Sequence, residues 1–421
     1  MKAIVFQGIG DIRLDDVPDP RIQHPMDAVV RLTASAICGT DLHMVRGTLP
    51  GMKPGTILGH EGVGIVEELG GGVRNLKEGD RVVIPSTVGC GSCVYCRAGY
   101  YAQCDQANPA GPLAGTTFFG GPASAGSLPG LQAEKARVPY ANVGLVKIPE
   151  EVSDDQAILL SDIFPTGWFA GRLADIKSGD TVAVFGCGPV GQFAIAGARL
   201  QGAGRVLAVD TIASRLDMAR SQGAEVVDFN ADDPVEAVRE LTGGIGVDRA
   251  IDAVGVDAEP PTHGPAADKA RARKEQFELE LGEVAPETHP EGGNWEPGHG
   301  PSQAVTWAVE ALAKAGTLSI IGVYPPAHRF FPLGMAMNKN LAVKMGNCNH
   351  RRYIPRLMEM VKAGAIDPAS ILTQREPLDS ALEAYRAFDR RQEGWIKVEI
   401  KVGAPVREAP AGREKRRKAR A

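Results

Sequence analysis

The sequence lacks the features that direct a chain into a membrane or onto nucleic acid. It has no run of about 18 apolar residues, the length that a membrane-spanning helix requires. Its N-terminus, MKAIVFQGIGDIRL, has neither the apolar core nor the cleavage site of a signal peptide, so we expect a cytoplasmic protein. The net charge is only −5 over 421 residues, which does not favour nucleic acid or an anionic membrane as a partner.

Cysteine is scarce as well, with seven residues, and there is no internal repeat. In a reducing compartment, cysteines serve metal binding or catalysis more often than disulfides. The chain has room for two or three domains at about 100–200 residues each. Each domain is long enough to bury a core of its own.

The order of predicted elements divides the chain into regions of different character. Residues 1–150 contain short β-type runs separated by Gly, Pro and Asp, which predicts a small barrel-like antiparallel domain. From about residue 155, helical and strand-like segments alternate, as they do in a doubly wound parallel sheet. Residues 324–403 have mixed character. The predicted fold class is therefore α/β.

Two stretches depart from this alternation. Residues 257–302 are rich in Pro, Gly and charged residues, and form either a long functional excursion or a partly disordered segment. The C-terminal run GREKRRKARA is basic and has almost no apolar residues, so we expect disorder over 406–421. This tail could contact nucleic acid or raise solubility, and its composition favours solubility.

Four cysteines lie close together in GCGSCVYCRAGYYAQC, with the spacing C-x2-C-x2-C-x7-C. Four thiolates can close a tetrahedron around zinc and leave no position for a substrate. Disulfides between residues three positions apart have poor geometry, and an iron–sulfur cluster is the other metal alternative. The motifs described next favour a structural zinc, held by Cys90, Cys93, Cys96 and Cys104.

A second set of candidate ligands lies upstream. Cys38 in ICGTDLHMVRG and His60 in LGHEGVG are ligand types that zinc accepts, and a catalytic zinc needs three protein ligands with one open position. Alone, one Cys and one His would more often be core residues. Asp41 is a candidate for the carboxylate that orients a ligand histidine.

The segment GCGPVG at 186–191 fits the dinucleotide-binding pattern G-x-G-x-x-G. It follows the strand-like TVAVF and opens a helical segment, and Asp210 ends the next predicted strand 19 residues after Gly191. An acidic residue at that position binds ribose hydroxyls and repels a 2′-phosphate, which favours NAD over NADP. The predicted cofactor-binding residues are Gly186, Gly188, Pro189, Val190, Gly191, Asp210 and Arg215. Arg215 could equally be a solvated charge on the helix surface. Cys187 and Cys348 are interpreted as packing residues.

The motifs CGTDLH, GHEGVGIV, the four-cysteine segment and GxGxxG, in that order, resemble the zinc-containing medium-chain alcohol dehydrogenases. The resemblance covers about 1–256 and 303–400. It implies a GroES-like β-barrel catalytic domain over 1–163, with a structural zinc segment at 89–105. It implies a Rossmann NAD-binding domain over 164–323, interrupted by 257–302, and a return to the catalytic domain over 324–405. A homodimer or homotetramer is implied in the same way.

The resemblance also implies roles for single residues. Cys38 and His60 would bind the catalytic zinc, with Glu61 near the metal as a transient ligand, and Lys397 would lie on the cofactor's pyrophosphate. The third ligand, a cysteine in many members, corresponds to Asp162 in LLSDIFPTGW, as in the glutathione-independent formaldehyde dehydrogenase branch. Zinc accepts a carboxylate there. The alternative for Asp162 is a helix N-cap.

The implied activity is hydride transfer between an alcohol or aldehyde hydrate and NAD, with two Zn²⁺ ions per chain. The proton would leave through Thr40 and then His43, a group that titrates near neutral pH. Two alternatives are a polyol or general alcohol dehydrogenase, and a non-catalytic, zinc-stabilised NAD(H)-binding protein. Phe118 and Phe119 are candidates for the wall of the substrate pocket.

The segment 257–302 corresponds to an insertion that covers the adenine end of NAD in the formaldehyde dehydrogenase branch. If it does so here, NAD would leave slowly and the enzyme could dismutate aldehydes. Trp295 is the large apolar residue able to anchor such a cover. A solvated surface loop is the alternative.

Overall fold

The computed structural model describes residues 1–111 and 114–403. Strands dominate the first 150 residues, with three short helices between them. The strands are β1 (Lys2–Gly8), β2 (Asp11–Asp16), β3 (Ala28–Ile37), β4 (Thr56–Ile57), β5 (Gly62–Leu69), β6 (Arg81–Ile84), β7 (Lys135–Val138) and β8 (Val146–Lys147). The helices are α1 (Gly39–Arg46), α2 (Val94–Arg97) and α3 (Ala141–Gly144).

Helices and strands then alternate along the chain. Two helices precede the first parallel strand: α4 (Asp154–Ser161) and α5 (Ile163–Ala174). The alternation continues as β9 (Thr181–Phe185), α6 (Pro189–Leu200), β10 (Arg205–Asp210), α7 (Ala213–Ser221), β11 (Glu225–Asp228), α8 (Pro234–Leu241) and β12 (Val247–Asp252). The remaining elements are α9 (Ala267–Ala272), α10 (Lys274–Val284), α11 (Gln303–Ala311), β13 (Leu312–Ile320), α12 (Leu333–Asn338), β14 (Ala342–Met345), α13 (His350–Lys362), β15 (Gln374–Pro377), α14 (Ala381–Asp389) and β16 (Val398–Lys401).

The parallel sheet has the strand order β11-β10-β9-β12-β13-β14. Its central strand β9, TVAVF, is buried over four of its five residues, as expected for a strand with helices on both faces. Helix α5 crosses α6 closely because Gly167 has no side chain: a Cβ there would lie 2.4 Å from the backbone carbon of Phe193. This sheet confirms the predicted doubly wound fold.

The second large sheet is built mostly from the N-terminal region and has the order β15-β16-β3-β5-β6-β8, with β7 also paired to β3. Strands β1, β2 and β4 form a smaller antiparallel sheet. The C-terminal strand β16 pairs with β3 in antiparallel register, Val398 opposite Ile37. Strand β16 therefore extends the sheet to which β3 belongs.

The predicted end of the Rossmann domain at residue 323 stays a prediction, although the parallel sheet itself continues past that residue. Strand β14 pairs in parallel with β13, with Thr317 opposite Ala342, so the sheet continues beyond that limit. β14 is short and mostly exposed, and it lacks the apolar run by which buried parallel strands are recognised. The division after residue 163, which falls at the first residue of α5, also stays a prediction.

The segment 257–302 is an ordered insertion, containing α9 and α10. Its Trp295 is 2% exposed and belongs to the apolar cluster of the N-terminal domain. The insertion also packs closely against Gly47 of the N-terminal region. A Cβ on Gly47 would lie only 2.5 Å from the carbonyl oxygen of Glu287. The alternatives of partial disorder and of a solvated loop are therefore wrong for this segment.

Within the described ranges, no helix combines the length and the apolar character needed to cross a membrane. The basic tail predicted to be disordered, 406–421, lies outside the described residues.

Candidate active site

Cys38, His60 and Asp162 come together in a buried cluster, although they come from distant parts of the chain. The Oδ2 atom of Asp162 lies 3.6 Å from Cys38 Sγ and 3.2 Å from His60 Nε2. Ligands held about 2.0–2.3 Å from one tetrahedral ion stand roughly 3.3–3.8 Å apart, so little rearrangement is needed for them to share a zinc. The soft thiolate, the imidazole and the carboxylate also form a donor set that zinc accepts.

The local folds of two motifs aim these side chains. Cys38 directly follows β3 and is the N-cap of α1, and its N–H donates to Asp41 Oδ2 at 2.9 Å. The other Asp41 oxygen lies 3.2 Å from His60 Nδ1, although the N–H is not aligned for a linear hydrogen bond. Asp41 thus faces the nitrogen opposite the one that points at Asp162, which is where an orienting carboxylate is needed.

The carboxylate of Asp162 is held on its far side by two residues. Its Oδ1 accepts a hydrogen bond from Thr166 Oγ1 at 2.9 Å and contacts His350 Nε2 at 2.6 Å. Asp162 occupies the N-cap position of α5, but its side chain makes no capping hydrogen bond there, so its carboxylate does not serve as a helix cap. His350 was missed, because it lies 188 positions away in a segment with no recognised motif.

The electrostatics of this cluster depend on its burial. Burial would raise the pKa of the Asp162 carboxyl, but the hydrogen bonds from His350 and His60 hold it well below its usual range. Burial raises the pKa of the Cys38 thiol. Burial would lower the pKa of His60, but the negative charge of Asp41 raises it well above its usual value. Such a site ionises its thiol readily only when a cation compensates the charge.

Glu61 and Lys397 form an ion pair beside the cluster. Lys397 Nζ lies 2.5 Å from Glu61 Oε1 and donates to the carbonyl of Ile37 at 2.9 Å, and both side chains are fully buried. A carboxylate oxygen of Glu61 lies within 4.8 Å of the other donor atoms, as expected for a residue near the metal. Burial raises the pKa of Glu61 to about 7.

The predicted contact of Lys397 with the cofactor's pyrophosphate stays a prediction. Its ammonium is enclosed by Glu61 and a backbone carbonyl, and it does not line the cofactor crevice described below. A buried ammonium needs such compensation, since leaving it unpaired would cost far more than the ion pair.

The four cysteines of the second motif also converge. Their four Sγ atoms lie within 4.8 Å of one another, and no disulfide joins any of the seven cysteines. Backbone N–H groups surround the sulfurs: Cys90 Sγ accepts from Ser92 and Cys93, both at 3.3 Å. Although burial opposes it, the hydrogen bonds from Ser92 lower the pKa of Cys90 to about 6. The disulfide alternative is wrong, and the site suits a closed tetrahedral ion.

The glycine motif shapes a crevice at the carboxyl ends of the parallel strands. Gly186 has φ +88°, Gly188 is the N-cap of α6, and Pro189 is its first residue. A Cβ on Gly191 would lie 1.9 Å from the carbonyl oxygen of Gly186, so only glycine permits this turn. The crevice measures about 430 Å³ and is lined by Gly186, Gly188, Pro189, Asp210 and Arg215, among others. Val190 instead contacts an apolar cluster.

Asp210 ends β10 at the rim of this crevice. Its Oδ2 accepts the Cys187 N–H at 2.7 Å, and its Oδ1 accepts the N–H groups of Thr211 and Ile212. Arg215 Nη1 lies 3.9 Å from the same carboxylate, with only 14% of the side chain exposed. Arg215 is therefore not a solvated helix charge.

The predicted relay residues lie between the cluster and the crevice. Thr40 Oγ1 is 3.9 Å from Cys38 Sγ, and His43 lines the crevice. His43 Nδ1 lies 2.8 Å from Thr48 Oγ1 and 3.2 Å from Asp257 Oδ2. Burial lowers the pKa of His43 below its usual value, and its part in the relay stays a prediction.

Comparisons with known proteins agree with this arrangement. The family model for the alcohol dehydrogenase GroES-like domain matches residues 24–150, and that for zinc-binding dehydrogenase matches residues 189–260. The zinc-type alcohol dehydrogenase-like protein AdhB of Bacillus subtilis is 38% identical over 405 residues, covering 95% of this chain and 100% of the relative. The chain belongs to the zinc-type alcohol dehydrogenase family.

Two further relatives widen the comparison within this family. A glutathione-independent formaldehyde dehydrogenase of Pseudomonas aeruginosa is 34% identical over 402 residues, covering 92% of this chain and 94% of the relative. The solved alcohol dehydrogenase TADH from Thermus sp. ATN1 superposes with a TM-score of 0.76 at 33% identity, covering 96% of this chain and all of that one. As a member of this family, the chain is an oxidoreductase of the zinc-type alcohol dehydrogenase kind.

One of the two phenylalanines proposed for the substrate pocket lies beside the zinc-type cluster. The ring of Phe118 meets the His60 ring edge-on, with centroids 6.0 Å apart. Phe119 is 1% exposed within the apolar core, so its prediction as a pocket wall was wrong. Cys187 and Cys348 are buried outside both sulfur-containing clusters, which fits packing roles.

Proposed function

We propose that this protein is a zinc-dependent, NAD-linked dehydrogenase that transfers hydride between an alcohol or aldehyde hydrate and NAD. The observation that carries the proposal is the position of the Cys38–His60–Asp162 cluster. Gly39, the residue after Cys38, lines the dinucleotide crevice, so the cluster lies next to the space for the cofactor. Asp162 in place of a thiolate, and the relationship to the Pseudomonas enzyme, support a formaldehyde dehydrogenase-like specificity.

When bound, zinc supplies Lewis-acid polarisation of a substrate oxygen, and NAD supplies the hydride acceptor. The residues of the chain do the rest. Cys38, His60 and Asp162 would hold the ion, and Asp41 would orient His60. Thr40 would receive the substrate's proton, and His43 would pass it towards solvent. Cys90, Cys93, Cys96 and Cys104 would hold a second zinc with a structural role.

The cofactor preference rests on Asp210. The carboxylate stands at the end of β10 on the wall of the crevice, where the hydroxyls of an adenosine ribose would meet it. The negative charge of this carboxylate would repel the 2′-phosphate of NADP, so NAD is the preferred cofactor.

General alcohol or polyol dehydrogenation is the competing activity, and the likeness to the Thermus alcohol dehydrogenase favours it. The two activities share the residues above and differ in the substrate pocket near Phe118. Initial rates with NAD and a panel of formaldehyde, primary alcohols and polyols separate them. Turnover of polyols alone would reject the formaldehyde-type specificity. Absence of turnover by zinc-loaded protein would favour a non-catalytic NAD(H)-binding protein.

The insertion 257–302 supports a further part of the proposal. Its first residues, 257–259, line the crevice, and Trp295 anchors its last part in the core of the N-terminal domain. A cofactor enclosed in this way would dissociate slowly and could pass its hydride to a second aldehyde, so we propose aldehyde dismutation.

We also propose a cytoplasmic homo-oligomer. Strand β14 is an edge of the parallel sheet and follows α12 closely in the chain. The large apolar side chains of Leu333 and Met337 on α12 and of Met345 on β14 are 70%, 78% and 61% exposed. An exposed apolar patch next to an unpaired strand edge is typical of a surface that a second subunit covers. The reduced state of all seven cysteines suits the cytoplasm.

A further inference from the structure

A buried charge network joins three distant segments next to the relay histidine. Arg46, the last residue of α1, donates from Nη1 to Asp257 Oδ2 at 2.7 Å and from Nε to Asp389 Oδ1 at 2.8 Å. All three side chains are nearly inaccessible, with relative exposures of 4%, 8% and 5% for Arg46, Asp257 and Asp389. One guanidinium thus lies between two carboxylates, which leaves negative charge in excess.

The insertion is tied to this network near both of its ends. Asp257 is its first residue, and its Oδ1 accepts the Gly298 N–H at 3.2 Å. Near the other end, Asn294 Nδ2 and the Trp295 N–H both donate to Asp389 Oδ2, at 2.9 and 2.7 Å. The network therefore fixes where the insertion meets the N-terminal domain.

Only one of the two carboxylates also reaches His43. Asp257 Oδ2, the atom that accepts from Arg46, lies 3.2 Å from His43 Nδ1. Thr48 Oγ1 approaches the same nitrogen at 2.8 Å, and its hydroxyl lies 3.3 Å from the carbonyl of His43, to which it donates. A nitrogen with two such oxygen partners carries the hydrogen, so Nε2 keeps its lone pair.

The other nitrogen is the one that can receive a proton. Among the described residues, Nε2 of His43 has no hydrogen-bond partner, and the ring lines the crevice. A base held by a carboxylate on its far nitrogen is a recurring arrangement for accepting protons, since the carboxylate both fixes the ring and balances the new charge.

We propose that Asp257 is a positioning residue that orients the imidazole of His43 and stabilises its protonated form, so that the insertion takes part directly in proton transfer. The inference rests on the relay role of His43 stated under the proposed function. In this step, Nε2 of His43 takes one proton from the relay, and the ring becomes an imidazolium. The same proton then leaves Nε2 for solvent, and no oxidation or reduction takes place. Asp257 stays ionised throughout.

The charges around His43 support this division of roles. On its own helix, Arg46 opposes protonation. From the insertion, Asp257 favours protonation. Beyond α14, Arg391 opposes it while donating to the carbonyl of Asp257 at 3.0 Å and to Glu259 at 3.1 Å. Despite burial, His43 and Arg46 lower the pKa of Asp257 to about 2, so the carboxylate is ionised at working pH. Asp257 is thus the group that offsets the burial of the imidazole.

The test compares Asp257→Asn with Asp389→Asn, a matched control. Each removes one buried carboxylate charge from Arg46 and one anchor of the insertion, but only Asp257 contacts His43. Histidine-selective ¹³C labelling and NMR titration, with His43→Gln to assign the signal, measure the pKa of His43 directly. We expect Asp257→Asn to lower it by about 1 unit or more relative to the wild type, as loss of an adjacent opposite charge does. Asp389→Asn should leave it within a few tenths.

Equal pKa values of His43 in the wild type and in Asp257→Asn, or equal shifts in both variants, would overturn the inference. If Asp257→Asn does not fold, the tautomer of His43 in the wild-type protein, read from its ¹⁵N shifts, decides: a proton on Nε2 overturns it. Activity separates this inference from the relay itself. If His43→Gln keeps full turnover, the relay is wrong, whatever the titration shows. If the relay holds, the acid limb of the kcat profile should move to lower pH, with a lower plateau, in Asp257→Asn alone.

Discussion

His350 Nε2 lies 2.6 Å from Asp162 Oδ1, on the side of the carboxylate that faces away from Cys38 and His60. The histidine is itself held, because its Nδ1 lies 3.0 Å from Thr87 Oγ1. The contact leaves Oδ2 aimed at the other two donors. An aspartate side chain is longer than a cysteine side chain and has more freedom to rotate. The contact with His350 therefore supplies an orientation that a cysteine at this position would not need.

Replacing His350 with Gln should weaken zinc retention at this cluster. Loss of a residue that orients a metal ligand typically costs about 10–100-fold in affinity. Competition with a chromogenic chelator measures this dissociation constant. His328→Gln is the control, since His328 belongs to neither metal-type cluster. Asp162→Asn should weaken retention more than His350→Gln does, and equal affinity in all four proteins would contradict ligation by Asp162.

Purified protein should contain two zinc ions per chain, and the two clusters should respond differently to substitution. Cys93→Ser should lower the melting temperature and the yield of folded protein, because a closed structural site contributes to folding. Cys38→Ser should abolish turnover with a nearly unchanged melting temperature. Elemental analysis returning iron, or one zinc in the wild type, would exclude one of the assignments.

NAD should be used with a higher kcat/KM than NADP, and Asp210→Gly should narrow that ratio. The glycine removes the charge that repels a 2′-phosphate. It also removes the acceptor of three backbone N–H groups, so the melting temperature should fall. Asp228→Asn serves as the control, since Asp228 ends the neighbouring strand and does not line the crevice. The ratio should stay unchanged in that variant.

Trp295→Ala should loosen the insertion and speed the release of NAD. Removing a buried Trp side chain costs about 3–5 kcal/mol in a well-packed core. Stopped-flow displacement of NADH gives the off-rate, and aldehyde dismutation after desalting tests retention of the cofactor. Leu279→Ala is the control, because Leu279 is 59% exposed on α10 in the same insertion. An off-rate equal in the wild type and in Trp295→Ala would reject the enclosing role.

Met337→Glu should reduce the oligomeric state, because it places a charge on the apolar patch beside β14. Light scattering coupled to size-exclusion chromatography gives the mass. Ile245→Glu changes an equally exposed apolar residue, 75% accessible, away from this edge and should leave the mass unchanged. A monomeric wild type would contradict the proposal.

The features that the sequence could predict are those carried by contiguous motifs. The four clustered cysteines, at 90–104, and Gly186–Gly191 each lie within one short segment, so short-range chain geometry fixes them. Cys38 was recognised from its local motif, although its partner Asp162 lies 124 positions away. The alternation of helices and strands likewise predicted the parallel sheet, and the short β-type runs of residues 1–150 predicted the antiparallel one. These inferences needed no knowledge of how remote segments meet.

The features that the sequence could not predict depend on remote contacts. The ammonium of Lys397 is paired with Glu61, which is 336 positions away in the chain. Helix α10 lies in a segment whose Pro, Gly and charge content hides its few apolar residues. Its apolar residues Leu281 and Val284 pack against Val256 and Tyr324, which lie outside the helix in the chain. The Arg46–Asp257–Asp389 network has no sequence signal, since single charged residues resemble solvated ones.

Because β16 pairs with β3, the N-terminal sheet cannot be completed until the C-terminal strand has been synthesised. The end of β3, Ala34–Ile37, receives β16 as its partner only after residues 398–401 have been made, 361 positions beyond residue 37, whereas Ala28–Arg31 pair with β7. At roughly 5–20 residues per second, translation of that interval takes about 20–70 s. The parallel sheet, complete by residue 345, emerges well before this. During that time the open edge of β3 and the carboxylate of Glu61, whose partner Lys397 precedes β16, await the end of the chain. Truncation of the last strand would leave a strand edge of the kind that chaperones bind and that aggregates recruit.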